Sequence, residues 1–179
     1  MMRPNDAQGS CWAFGSVEAM TDRVCLASKG EKQVHLSAQD VSCDKLGDMG
    51  CNGGVPSTVY SYYKNSGIVT YAPCDGDRET PSCARKCVDN EQLTWASDKH
   101  HSEAGYSVCQ QGMSNGACAD AMAQEIYKNC PTTGMCFVRQ SFTLYKSGVY
   151  QVTHPFKDPM LGGHAIKIMG FGVENGVKY

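Results

Sequence analysis

Apolar positions recur at helical spacing early in the chain. Trp12, Val17, Met20, Val24 and Ala27 line one stretch without proline, which predicts a helix over residues 11–29 stopped by Gly30. Ser37-Ala38-Gln39-Asp40 has the composition of a second helix start. Val59, Tyr62 and Tyr63 predict a short helix over 57–65 that ends at Gly67. Residues 44–54 are rich in Gly and Asp and read as a loop. Residues 70–118 read as loop-dominated, with Pro73, Gly76, Pro81, Gly105, Gly112 and Gly116 as breakers. Asp120 is a suitable N-cap for a helix over 121–129, and Pro131 follows its end. The pattern then changes. Residues 136–139, 148–152 and 165–172 read as strands, and Asn175-Gly176 is a strong two-residue hairpin signal with 177–179 as the return. Helices first and strands last make the chain an α+β protein.

Composition narrows the class. A chain of 179 residues with 41% hydrophobic content can bury one good core or two small ones. The net charge of −2 gives no reason to expect nucleic acid as a partner. No apolar run is long enough to span a bilayer. Eleven cysteines point to an oxidising compartment. If Cys11 is a free nucleophile, an even number remains for disulfides.

The candidate chemistry starts at Gln8-Gly9-Ser10-Cys11-Trp12-Ala13-Phe14-Gly15. Here a cysteine stands between a Gly-Ser turn and a predicted helix. Helix N-terminal N–H groups and the dipole favour a thiolate at such a position. A lone cysteine is more often a small buried hydrophobe, so a partner is needed. Leu161-Gly162-Gly163-His164-Ala165-Ile166 supplies one: a histidine after a diglycine, presented with little steric cover. Cys11 and His164 are 153 residues apart, close to the ~130–150 typical of papain-like enzymes.

In these residues the chain resembles the papain family of cysteine proteases, and within it the cathepsin B-like members. Val17-Glu18-Ala19, Asp22-Arg23-Val24-Cys25, Cys51-Asn52-Gly53-Gly54, and Thr80-Pro81-Ser82-Cys83 with Cys87 match in order. So do residues 125–129, 144–150, Gly162-Gly163-His164-Ala165 and Gly172-Val173-Glu174-Asn175-Gly176. The resemblance runs from about Asp6 to Tyr179. It implies a two-lobed fold, with a helical left lobe over 1–110 carrying Cys11 and a strand-rich right lobe over 111–179 carrying His164. It also implies that the chain is incomplete at both ends, without the family's signal and prosegment, and with the right lobe's sheet truncated.

The resemblance further implies cysteine-type endopeptidase activity. Cys11 would attack a peptide carbonyl, and His164 would protonate the leaving amine. The Cys11 backbone N–H would be one oxyanion donor, with Asn5 standing at the position of the family's oxyanion-hole glutamine. Gly53, Gly54 and Gly163 would line the substrate cleft. No cofactor and no metal is implied. Partners would be peptide or protein substrates and cystatin-type protein inhibitors, with no nucleic acid or membrane, and the enzyme would be a monomer. The compartment would be lysosomal, endosomal or secreted.

Departures from the family pattern support a second hypothesis. Gln8 replaces the first cysteine of the signature, so Cys51 loses its family partner. Asn5 is shorter than glutamine, and the family's histidine-orienting asparagine falls beyond Tyr179. The alternative is therefore a catalytically silent homologue whose cleft binds proteins, or a non-functional fragment. A disulfide-rich secreted module is a third reading. The chain is also short between Val69 and Cys74, where the cathepsin B-like members carry an occluding loop, so no dipeptidyl-carboxypeptidase activity is expected. His100-His101 reads as a solvated turn. Cys43–Cys83 is implied as a retained family disulfide, and Cys74 could pair with Cys87. Cys25 would lack its partner, and Cys109, Cys118, Cys130 and Cys136 could form two further bridges. The spacing of Cys74, Cys83 and Cys87 disfavours zinc.

Overall fold

A computed structural model describes residues 9–43, 49–70 and 94–179. Helix α1 spans Cys11–Ala27, as its apolar spacing predicts. Helix α2 spans Ala38–Cys43. Its first turn is closed by the Ser37 hydroxyl, which accepts the Asp40 N–H at 3.0 Å. Helix α3 spans Pro56–Asn65 and opens on proline, whose missing N–H costs nothing there. A short 3₁₀ turn over Gly50–Asn52 lies within the expected loop.

Helix α4 spans Asn115–Asn129, so it starts earlier than its sequence suggests. The cap is Ser114, whose hydroxyl accepts the Ala117 N–H at 3.2 Å, and not Asp120. Gly116 sits inside the first turn, where its entropy cost is tolerated.

Strands β1, Thr132–Arg139, and β2, Met160–Ile168, form an antiparallel pair. The expected strand over 148–152 does not form. Tyr150 instead packs edge-on against Phe142 and Tyr145, which form part of the β1–β2 connection. Strand β2 begins before the diglycine and ends at Ile168, because Gly162 and Gly163 pair with Val138 and Phe137. Strands β3, Val173–Glu174, and β4, Val177–Lys178, form the expected hairpin. Asn175 and Gly176 both adopt positive φ, 50° and 79°, as a two-residue turn of this hand requires.

The core lies mainly between α1, α2, α3 and the segment around Ile68. Trp12, Val17, Met20, Leu36, Val41, Val59, Tyr62 and Ile68 belong to one buried cluster, to which β2 contributes Ala165. A buried ion pair sits beside it, with Lys99 Nζ 2.8 Å from the Asp40 carboxylate. Lys99 also donates to the Gly67 carbonyl at 2.9 Å and lies 3.6 Å from the centre of the Trp95 ring. His100 is not in a solvated turn: its backbone bridges Ile68 through two 2.9 Å hydrogen bonds.

Candidate active site

Cys11 is the first residue of α1, directly after Ser10, whose side chain makes no capping bond. The Ser10 carbonyl accepts the N–H groups of Ala13 and Phe14 at 3.0 and 3.2 Å, which closes the first turn under the thiol. Two contacts fix this turn against the segment of Cys51, Asn52, Gly53 and Gly54. Gly9 N donates to the Cys51 carbonyl at 2.5 Å, and Trp12 Nε1 donates to the Gly50 carbonyl at 2.9 Å. The Trp12 indole lies so close to Gly54 that a Cβ there would fall 2.4 Å from the ring. Gly54 is therefore required by packing, and any larger residue would displace the residue next to Cys11.

The other half of the site arrives on β2. Helix α1 meets this strand at Gly15, where a Cβ would approach the Ile166 N–H nitrogen to 3.1 Å and the Ala165 carbonyl to 3.2 Å. That close approach brings the Ala165 N–H to the Cys11 sulfur, 3.4 Å from N to Sγ. Ala165 follows His164 directly, so the thiol lies beside the strand residue next to this histidine. Thr133 on β1 adds a hydrogen bond to the Gly15 carbonyl at 3.3 Å and shares one with the Tyr60 hydroxyl at 2.8 Å.

Two ion-pair systems join α1 to the strand-bearing half. Lys167 on β2 meets Asp22 at 2.8 Å. Arg23 meets Glu125 on α4 at 2.7 Å and donates to the Pro131 carbonyl at 2.7 Å. Burial alone would raise the Glu125 pKa, but hydrogen bonds from Tyr106, Arg23 and Asn129 hold it below the ordinary value. Burial likewise opposes the Arg23 charge, and its bonds to Glu125 and Tyr106 outweigh this and raise its pKa. Sequence reading did not find these partners, because the pairs span more than a hundred residues.

His164 is half-buried and stands directly across from Cys136 on β1, so the two side chains share a sheet face. Among the described residues no hydrogen bond reaches the His164 imidazole. Gly163 pairs with Phe137 and has open space beside it, while Gly53 adopts φ 127° next to Met49. Cys109 and Cys118 are bridged. The second extra bridge is not formed, since Cys130 and Cys136 are free, as are Cys11, Cys25 and Cys51. Asn5, Gln8, Cys74, Cys83 and Cys87 lie outside the described residues, and so does the side chain of Cys43; the Cys43–Cys83 and Cys74–Cys87 bridges therefore fall outside them too. Among the described residues no group of three His, Cys, Asp or Glu side chains could hold a metal ion. No helix among them is long and apolar enough to cross a membrane.

Comparison with known proteins points the same way. The model of the papain family cysteine protease matches residues 2–179. Cathepsin B-like protease 1 of Arabidopsis thaliana is 39% identical over 182 residues, covering 93% of this chain and 45% of its own length. The gut-specific cysteine proteinase of Caenorhabditis elegans is 35% identical over 198 residues, covering 100% of this chain and 57% of its own length. The chain thus spans about half the length of the curated relatives it matches. Among solved structures, procathepsin B S9 from Trypanosoma congolense superposes with a TM-score of 0.79 at 28% identity, over 100% of this chain and 59% of that one. Procathepsin L 3 of Tenebrio molitor, at 17% identity and a TM-score of 0.73 over 96% of this chain and 51% of that one, shares the fold. The chain belongs to the papain family of cysteine proteases and resembles its cathepsin B-like members.

Proposed function

We propose that this chain carries the reacting pair of a cysteine-type endopeptidase. The observation that supports this most directly is the 3.4 Å contact between the Ala165 N–H and Cys11 Sγ, which sets the thiol beside the strand residue that follows His164. In the proposed reaction the Cys11 thiolate attacks the scissile carbonyl carbon, and the carbonyl electrons move to oxygen. The Cys11 backbone N–H, in the first turn of α1 where no intrahelical acceptor reaches it, donates to that oxyanion; Asn5 is the candidate for the second donor. His164 gives its proton to the leaving amine, the C–N bond breaks and a thioester remains. Water then attacks the thioester, His164 takes the water's proton, and the acid product leaves with Cys11 restored.

Gly53, Gly54 and Gly163 would offer bare backbone to an extended peptide. The lobes would divide near residue 110, with the cleft between them. Substrates would be peptides or proteins, and cystatin-type proteins would compete for the same cleft. The protein would act as a monomer, without a cofactor, in a lysosomal, endosomal or extracellular setting.

Gln8 in place of the signature's first cysteine and Asn5 in place of the family's oxyanion-hole glutamine support a second reading, a silent homologue that binds proteins without cutting them. Labelling separates the two. In an active site, a peptidyl epoxide should alkylate Cys11 selectively, and peptide hydrolysis should fall about 10⁴-fold or more in Cys11→Ala and His164→Ala. Slow labelling spread evenly over Cys11, Cys25 and Cys51, with no hydrolysis, would leave the silent reading standing.

A further inference from the structure

Strand β2 has an unusual weakness where it matters most. Gly162 and Gly163 precede His164, and neither has an atom within 4 Å of where a Cβ would stand. Glycine-rich strands specify their register weakly, and a slip of one residue turns every side chain to the opposite face. Such a slip would carry His164 away from the face it shares with Cys136. Something other than side-chain packing at 162–163 must therefore hold the register.

The polar cluster at the mouth of the β1–β2 connection can do this. The register shifts between Val138 and Arg139: Val138 pairs with Gly162, whereas Arg139 pairs with Met160, leaving Leu161 as the extra residue of a bulge. Arg139 Nη1 donates to the carbonyls of Pro155 and Asp158 at 2.8 and 2.7 Å. The Asp158 carboxylate accepts the Ser141 N–H at 3.0 Å and the Ser141 hydroxyl at 2.6 Å. The Ser141 hydroxyl also meets the Tyr150 hydroxyl at 2.6 Å, and Gln140 N donates to the Pro159 carbonyl at 2.9 Å. These bonds hold the carboxyl of Asp158 below its usual pKa, with Ser141 as the main cause. Together they tie Arg139, Gln140 and Ser141, at and just after the end of β1, to Asp158 and Pro159, the two residues before β2.

We infer that Arg139, Ser141 and Asp158 form a positioning clamp for His164, fixing the bulge and hence the register of the diglycine strand. The clamp acts through the backbone and touches no substrate. The inference rests on the Cys11–His164 reading above, and its test keeps the two apart. Two reagents are compared on the 179-residue chain, with the labelled cysteine identified by mass spectrometry. Iodoacetamide needs only the Cys11 thiolate, which the epoxide needs as well, so the thiolate population cancels in the comparison. A peptidyl epoxide also needs a correctly placed imidazole to protonate the opening oxygen. The ratio of the two rates therefore reads the placement of His164. A purely structural role for the clamp would leave this ratio alone.

Asp158→Ala should lower the ratio about tenfold or more, since misplacing a catalytic group by about 1 Å can cost about 10²-fold. Ser141→Ala should shift it in the same direction by less, and Asp158→Asn, which keeps one acceptor oxygen, should restore most of it. An unchanged ratio in Asp158→Ala overturns the clamp; if that variant does not fold, the ratio in Ser141→Ala decides in the same way. A wild-type ratio at Cys11 no higher than at Cys25 overturns the Cys–His reading instead. Amide hydrogen exchange over 161–165 then decides the clamp by itself: faster exchange in Asp158→Ala supports it, and equal exchange overturns it.

Discussion

The described residues of 9–70 bury most of their large apolar side chains, whereas residues 132–179 leave most of theirs in water. In the first region Trp12, Val41, Val59 and Ile68 are 1% exposed or less. In the second, Met135 and Phe137 on β1 are 71% and 72% exposed, and Leu144, Phe156 and Met169 are open to solvent as well. The difference lies in the number of layers. Here α1, α2, α3 and the Ile68 segment enclose one another, so Trp12, Val17, Val41, Val59 and Ile68 find partners, while Phe14 and Leu26 on the outer side of α1 stay exposed. The β1–β2 pair puts Ala165 into that core and meets α1 besides through the Thr133–Gly15 hydrogen bond and the Lys167–Asp22 ion pair, but among the described residues it has two strands, which is fewer than a sheet usually needs for stability of its own. The candidate site lies on the boundary: Cys11 belongs to the packed region and His164 to the exposed one.

The largest stability effect should come from the packed side. Trp12→Ala would remove a buried indole that faces Gly54 and donates to the Gly50 carbonyl. We expect a loss of about 3–5 kcal/mol, seen as a lower denaturant midpoint. The same change should displace Cys11, so epoxide labelling should fall with it. A loss below about 1 kcal/mol would mean that the first region is less tightly packed than its burial indicates.

The buried pair Lys99–Asp40 comes next. The two side chains are 6% and 4% exposed. Lys99→Ala leaves Asp40 a buried carboxylate with its hydrogen bonds from Val69 N and Tyr62, at 3.1 and 3.4 Å. Those bonds compensate in part, so a loss of about 3 kcal/mol, the low end for a broken buried pair, is expected in thermal or chemical unfolding. If Lys99→Ala and Asp40→Asn combined cost less than Lys99→Ala alone, the Asp40 charge deprived of Lys99 is the cause. Full additivity would instead point to packing against Trp95.

These expectations show which parts of the molecule the sequence could convey. Helix α1 was legible because its apolar spacing, its length and the absence of proline agree with each other. The β3–β4 hairpin was legible because Asn175-Gly176 demands a turn that few other pairs adopt. The start of α4 was not, because Gly116 looks like a breaker and the capping role of Ser114 is visible only in its bond to Ala117. Strand β2 was misplaced because two glycines carry no side-chain periodicity; pairing with β1 decides their state. Cys11 and His164, the proposed reacting pair, are singled out by spacing and motif. The devices that bring their elements together, Gly15 on the Ala165 carbonyl and Arg23 on Glu125, depend on tertiary contacts that no local pattern encodes. Nor could spacing choose the Cys109–Cys118 bridge from the many connectivities eleven cysteines allow.

The seam between the regions should respond to acid. Glu125 has a pKa below its ordinary value in the folded chain, so its contribution to stability is present above the unfolded pKa of about 4.3 and is lost as pH falls through the folded value. The group is partly solvated and screened, so its contribution should be about 1 kcal/mol. In Glu125→Gln, stability measured from neutral pH down through the carboxylate range should fall less steeply than in the wild type. Parallel curves would show that the Arg23–Glu125 pair does not hold α1 to α4.

The smallest effect should come from the exposed side, and it is the sharpest check on the contrast. Phe137 and Trp12 are both large aromatic residues, and a sequence-based hydrophobicity scale would weight them alike. Phe137 sits on β1 opposite Gly163, at 72% exposure, so its ring has surrendered little contact with water on folding. Replacing it removes almost no transfer free energy, because that term scales with the area withdrawn from solvent. A modest penalty for serine in a strand opposes a modest gain from a less apolar surface. Phe137→Ser should therefore change unfolding free energy by no more than about 0.5 kcal/mol, while raising solubility measured by light scattering. A loss of about 2 kcal/mol or more would mean that Phe137 is buried in solution, by a second copy of the chain or by a rearranged sheet. Dependence of that loss on protein concentration would identify the second copy, since only association responds to mass action.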